Sequence, residues 1–160
     1  MAEDLTTSDG AVQENAALVR SIYADWGRGD FSSAAWADPQ IEFSFVDGPE
    51  PGKWSGRPAM AKRYGEWLSG WNDFRAELEE LIVVDSARIL ALVHNSASGR
   101  ASELKMDQRS VANLFEIDHG RVTRFGLYWD RSRALKDAGL AVPVVSRQSA
   151  QAPRELRRKL

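Results

Sequence analysis

Gly120 to Leu140 reads GRVTRFGLYWDRSRALKDAGL, and this stretch decides the fold. A glycine turn releases a run of alternating character, Val122 to Trp129, which predicts a strand. Asp130 then stands where a helix cap belongs, and Arg131–Ala138 predicts a short amphipathic helix ended by Gly139. Upstream, Val12, Ala16, Val19, Tyr23 and Trp26 recur at helical spacing, and Gly27-Arg28-Gly29 closes that helix. Asp30 is placed to cap a second short helix reaching Trp36, with Pro39 preventing its continuation. Ile41, Phe43 and Phe45 alternate with more polar neighbours as a strand does. The loop DGPEPG (47–52) and an extended piece at Lys53-Trp54 follow. Pro58 suits the first turn of a helix whose apolar stripe is Met60, Tyr64, Trp67, Leu68 and Trp71. Phe74–Val84, Arg88–Ala97 and Met106–Ile117 read as further strands, separated by turns at 85–86 and 98–100. Helices first, then antiparallel strands joined by short turns, is an α+β layout.

The bulk composition is that of one globular domain. The 160 residues are 43% apolar and 28% charged, enough to bury roughly two-thirds of the unfolded surface. Net charge is −2, unevenly spread. Residues 141–160 carry Arg147, Arg154, Arg157, Arg158 and Lys159 against Glu155, a net of +4, which leaves −6 for residues 1–140. An acidic body argues against a nucleic-acid partner, which requires clustered Lys and Arg. The absence of cysteine excludes disulfides, thiolate nucleophiles and Cys-ligated zinc. His94 and His119 have no metal-ligand spacing, so neither a metal nor a cofactor is expected. No window approaches 18 apolar residues and the polar, acidic start is unlike a signal peptide, so the expected compartment is the cytoplasm, without membrane contact. The expected organisation is a flexible lead-in at 1–10, a domain at 11–140 and a basic, flexible tail at 141–160.

Four segments together resemble the SnoaL-like branch of the nuclear transport factor 2-like (ketosteroid isomerase-like) superfamily. They are Tyr23 to Phe31 (YADWGRGDF), Ala37 to Phe43 (ADPQIEF), Trp54 to Ala59 (WSGRPA), and His119 to Val122 (HGRV) with Tyr128 to Arg131 (YWDR). The resemblance implies a cone-shaped, mostly antiparallel sheet of about six strands, wrapped by three helices plus a short C-terminal one. It also implies a cavity between helices and concave sheet face, and a homodimer through the outer face. Members span several chemistries and none, so function must be read from the site.

Side chains alternate across a strand, so parity decides which residues face the cavity. In the strand 88–97 both faces are partly apolar, and alternation leaves the choice open. The resemblance puts Leu90, Leu92, His94 and Ser96 inward. Arg109, Val111, Asn113 and Phe115 are taken as inward on the next strand, and Phe125, Leu127 and Trp129 on the last. His94 and Arg109 would then be cross-strand neighbours, about 5 Å apart at Cβ. A histidine beside an arginine favours a neutral imidazole, suited to a general base or an anchor, with Arg109 stabilising an enolate or carboxylate. The plainer alternative is a structural histidine, with Arg109 paired to Asp107 or Glu103.

The family's enzymatic patterns do not transfer whole. The isomerase base falls on Phe43 and its second acid near Ala112, while Tyr23 lies one residue from the donor tyrosine. The epoxide hydrolase positions read His94-Asn95-Ser96 and Leu127. Asp130 and Asp30 read as helix caps, Asp47 as either an inward acid or a turn residue, and His119 as a solvated turn residue. The expected ligand site comprises Tyr23, Trp26, Trp36, Phe43, Phe45, Asp47, Trp54, Ser96, Asn113, Phe125, Leu127 and Trp129, whose aromatic members serve equally as core. The leading expectation is binding of a small hydrophobic molecule in an aromatic pocket, with isomerase, cyclase or dehydratase chemistry on a polyketide-, terpenoid- or steroid-like substrate. The alternative is a non-catalytic ligand-binding or dimerisation module; a protein-partner adaptor is less favoured because no peptide groove is evident.

Overall fold

A computed structural model describes residues 2–100 and 103–140, with residues 2–8 as backbone only. The described residues form three helices and a six-stranded sheet: α1 (Ala2–Trp26), β1 (Ala37–Phe45), β2 (Gly52–Ser55), α2 (Arg57–Ser69), β3 (Trp71–Val83), β4 (Arg88–Gly99), β5 (Lys105–Asp118), β6 (Arg121–Tyr128) and α3 (Arg131–Asp137). The sheet order is β2-β1-β6-β5-β4-β3. Among the described residues only the β1–β6 pairing is parallel, and the sheet is curved and unclosed. The α+β layout and its six strands follow the expectation. The basic segment 141–160 lies outside the described residues. No described helix is long and apolar enough to cross a membrane.

Alternation along the strands builds two cores. Inner side chains of β1, β5 and β6 (Ile41, Phe43, Phe115, Ile117, Val122, Phe125) bury against Val19, Ile22, Tyr23 and Trp26 of α1 and Met60 of α2. Phe115 stacks on Phe125 at 4.7 Å between ring centroids. Trp26 meets Phe125, Phe31, Trp36 and Tyr64 within 5.9 Å. On the outer face α3 covers a smaller cluster of Leu90, Ala112, Tyr128 and Ala134. Polar clamps fix the helices to the sheet. Asn15 Nδ2 donates to the Ser86 carbonyl at 2.9 Å, and Arg57 donates to the Ala37 carbonyl through Nε (3.1 Å) and Nη2.

Two segments differ from the sequence-based expectation. Helix α1 starts at Ala2, within the stretch expected as a lead-in at 1–10, with no proline up to Trp26 to interrupt it. Residues 30–34 are irregular and 35–36 form a turn, in place of a short helix. Asp30 Oδ1 accepts from both Ser32 N (3.0 Å) and Ser32 Oγ (2.7 Å), and Trp36 Nε1 donates to the Ser33 carbonyl. The Asp30 bond to Ser32 N is one a helix cap would also make, but the indole bond takes the Ser33 carbonyl that a helix would otherwise have used. Elsewhere the signals hold. Asp130 caps α3 by accepting from Ser132 N at 2.9 Å, Pro58 lies in the first turn of α2, and His119 sits exposed in the β5–β6 turn at φ 52°.

Phe125 is fully buried where the stack, Trp26 and Phe43 converge. Phe125→Ala is expected to lower unfolding free energy by about 3–5 kcal/mol, the usual cost of truncating a buried phenylalanine. Urea denaturation followed by far-UV circular dichroism measures it; a loss under 1 kcal/mol would remove this residue from the centre of the core.

Candidate functional site

A cavity of about 380 Å³ opens between α2 and the inner sheet face. Helix α2 contributes Tyr64 and Trp67, the start of β3 adds Trp71 and Phe74, and β1 and β6 add Phe45 and Leu127. Trp129, immediately after β6, closes one side with its ring 6.2 Å from that of Trp67. Its backbone is fixed at both ends: its N–H donates to Asp47 Oδ1 at 2.6 Å, and its carbonyl accepts from Ser110 Oγ at 3.1 Å. Gly48, at φ 95°, lies against this indole so closely that a Cβ would stand 3.0 Å from Nε1, so the loop over the mouth needs glycine there.

Polar groups divide between the two ends. At the mouth, Arg63 bonds Glu50 at 2.9 Å and approaches Glu66 at 3.7 Å, with its guanidinium 4.6 Å from the Phe45 ring centroid. Within the cavity stand three carboxamides, Asn95, Gln108 and Asn113. Asn113 is 6% exposed, and its Nδ2 donates to the Tyr23 hydroxyl at 2.6 Å. Burial pushes the Tyr23 hydroxyl well above its ordinary pKa, against the opposing influence of the Asn113 hydrogen bond, and burial also raises Tyr64. Both therefore remain protonated hydroxyls at neutral pH.

Of the residues expected at the site, Phe45, Asp47, Asn113, Leu127 and Trp129 line this cavity. Tyr23 stands behind it, reached through Asn113. Trp26, Trp36, Phe43 and Phe125 belong to the aromatic core. Trp54 packs on Phe43 and Phe45 and borders a separate concavity on the β2 side.

His94, Arg109 and Ser96 are elsewhere. The odd-numbered residues Ile89, Ala91 and Val93 face the helices, while Leu90 and Leu92 pack in the outer cluster. The even-numbered face predicted as inward is thus the outer one, which carries His94 and Ser96. Arg109 joins them because of a bulge. Val93 pairs with Val111, yet Asn95 pairs with Gln108, so one β4 residue opposes both Arg109 and Ser110. The extra residue reverses parity: Val111, Asn113 and Phe115 keep the inward placement, Gln108 replaces Arg109 on that face, and Arg109 turns out.

His94 and Arg109 do lie close, but through carboxylates on the outer face. His94 Nε2 is 2.5 Å from Asp107 Oδ1 and Nδ1 is 3.5 Å from Glu77. Arg109 bonds Glu79 at 3.0 Å and stands 3.8 Å from Asp107. Arg131, the first residue of α3, secures the same bulge. It donates to the Val111 carbonyl at 2.9 Å, the Val93 carbonyl at 3.0 Å and Glu79 at 2.5 Å. Among the described residues no group of three or more His, Cys, Asp or Glu could hold a metal ion.

The sequence reading did not single out Arg63, Asn95 and Gln108 for this site. Tyr64, Trp67 and Trp71 were visible as the stripe of a helix, but nothing in that stripe distinguishes a cavity wall from core. Pairing Asn95 with Gln108 required knowing the bulge.

The hydrogen bond from Arg131 holds the Glu79 carboxyl below its ordinary range, with the Arg131 and Arg109 charges adding to it. A depressed folded-state pKa contributes stability that is complete above the unfolded value of about 4.3 and is lost as pH falls through the folded value. Arg131→Met is therefore expected to destabilise by about 1.5–3 kcal/mol at pH 7, the scale of charged hydrogen bonds, and by less at pH 3. Urea unfolding at the two pH values measures this, and an equal loss at both would remove Glu79 from the account.

A family model of the SnoaL-like domain matches residues 19–125, more than half of the chain. No curated protein sequence matches significantly. Among solved structures, Bal32a from a soil-derived mobile gene cassette is 23% identical with a TM-score of 0.62, over 73% of this chain and 89% of that one. A candidate SnoaL-like polyketide cyclase from Jannaschia sp. CCS1 is 13% identical with a TM-score of 0.64, over 82% and 94%. A phenazine biosynthesis-related protein from Pseudomonas aeruginosa is 12% identical with a TM-score of 0.65, over 87% and 94%. At such identities the structural likeness is one of fold.

Proposed function

The chain belongs to the SnoaL-like domain family, and from that premise we propose that it binds a small, flat, largely apolar organic molecule in the cavity beneath α2. The observation that carries this reading is a volume of about 380 Å³ with aromatic walls and three carboxamides. Small-molecule sites have this size and make-up, with apolar walls giving affinity and a few polar groups fixing orientation. Polyketide-, terpenoid- and steroid-like molecules are the substrate classes that an apolar, aromatic-walled cavity of this size would take. The printed descriptions of the structural neighbours, a candidate polyketide cyclase and a phenazine biosynthesis-related protein, are in keeping with such ligands.

Acid–base chemistry is a second reading, and it rests on Asp47 rather than His94. Asp47 Oδ1 is held by the Trp129 N–H, which fixes the carboxylate at the cavity wall as a positioned proton acceptor. The amides of Asn95, Gln108 and Asn113 would then stabilise charge on a ligand oxygen. The proposal also includes a homodimer through the outer face, where Ile82, Leu92 and Leu114 remain only partly buried around the α3 cluster.

Calorimetric titration with planar polycyclic ligands tests the binding reading. Trp71→Ala is expected to weaken binding about 10-fold, since loss of an aromatic wall costs on the order of 1.5 kcal/mol. His94→Ala is expected to leave the dissociation constant within about twofold. An undisturbed Trp71→Ala variant would contradict the assigned cavity. If the protein also converts its ligand, Asp47→Asn should abolish product even at saturating ligand; retained turnover removes Asp47 as the base. Sedimentation velocity at micromolar concentration is expected to give twice the 17.8 kDa chain mass, and a monomer there would rule out the dimer.

A further inference from the structure

Resting on the binding reading above, we infer that the ligand is an organic cation: a flat apolar body with a protonated amine at the mouth and one neutral hydrogen-bonding group at the buried end. The charged side chains lining the cavity are Asp47, Glu50, Glu66 and Arg63, a net of −2. Arg63 is already committed to Glu50 at 2.9 Å and lies 3.7 Å from Glu66. An incoming anion would meet two uncompensated carboxylates, and a cation would be attracted by them.

The aromatic walls reinforce the same sign. Ring faces carry a negative quadrupole and attract a desolvated cation. The site already accommodates one: the Arg63 guanidinium carbon lies 4.6 Å from the Phe45 ring centroid and 5.3 Å from that of Trp54. Trp67 and Trp129, at 6.2 Å and near edge-on, supply further ring surface between mouth and interior.

The buried end is different in kind. Asn113 is 6% exposed, lines the cavity and uses one amide atom on the Tyr23 hydroxyl. Either orientation of its amide leaves the second polar atom without a protein partner among the described residues. A buried amide atom facing a cavity is satisfied by a ligand that carries a matching neutral donor or acceptor. The polar side chains that line the cavity with Asn113 on the strands β4 and β5 are the neutral amides of Asn95 and Gln108. Charge at the mouth and neutral polarity inside therefore define a direction for the bound molecule.

Three probes with one anthracene body and different charge test this: 9-(aminomethyl)anthracene as cation, 9-anthracenemethanol as neutral, and anthracene-9-carboxylate as anion. Calorimetry at pH 7 and low salt is expected to rank them in that order, with the cation about 10-fold tighter than the neutral probe. The advantage is expected to shrink with added salt. In the Asp47→Asn, Glu66→Gln double variant, which keeps the oxygen that accepts from Trp129 N–H, the cation should fall to the neutral probe's affinity while the neutral probe is unchanged. Equal binding of cation and neutral probe by the unmodified protein, or tightest binding of the anion, overturns the cation inference and leaves the binding reading standing. Failure of all three probes to bind overturns both.

Discussion

Everything in this fold hangs on the stack of Phe115 on Phe125 at the middle of the sheet. These two rings lie on β5 and β6, and β6 is the strand that joins the antiparallel run to parallel β1. Trp26 and Tyr23 of α1 pack onto the rings edge-on or tilted, and Phe43 of β1 completes the cluster. Aromatic contacts of this kind add to simple burial, and here they determine how α1 is seated. Tyr23 is thereby placed so that its hydroxyl meets Asn113 behind the cavity.

A single extra residue in β5 sets the chemistry of both sheet faces. The bulge at Arg109-Ser110 sends Gln108 inward beside Asn95 and turns Arg109 out toward Glu79 and Asp107. Such a bulge disrupts the ladder locally, and buried carbonyls near it need partners. Arg131 supplies them to Val93 and Val111 while its charge is balanced by Glu79. The cavity is consequently lined in its interior by amides rather than ions. The ionic groups gather at its mouth, and on the opposite surface of the sheet in the His94 cluster.

Legibility in the sequence followed the range of the interaction. The Asp130 cap, the Pro58 helix start, the exposed turn at His119 and the strand alternation of Ile41, Phe43 and Phe45 are local, and each was readable from neighbouring residues. The Asp30 helix was not, because the Ser33 hydroxyl accepts from the Ala35 N–H and the Ser33 carbonyl accepts from the Trp36 indole, both local competing bonds. For the site, half-legible is the fair description. Phe45, Leu127 and Trp129 follow from alternation and Asn113 from the inward face taken for its strand, Asp47 was open between site and turn, and Arg63 and the Asn95–Gln108 pair could not be placed.

The sequence by itself determined the class of fold, the order of its elements and the aromatic content of its interior. Those depend on periodicity, caps and composition, which act over a few residues. Only the tertiary structure decided which face of β4 meets the helices, because Ile89-Ala91-Val93 and Leu90-Leu92 are equally apolar and each face has a core to join. It also decided the side on which Arg109 emerges, since a bulge is a property of two paired strands and not of either one. The placement of His94 outside the cavity follows from that choice of face, fixed by contacts with α1 and α3 far away in the chain.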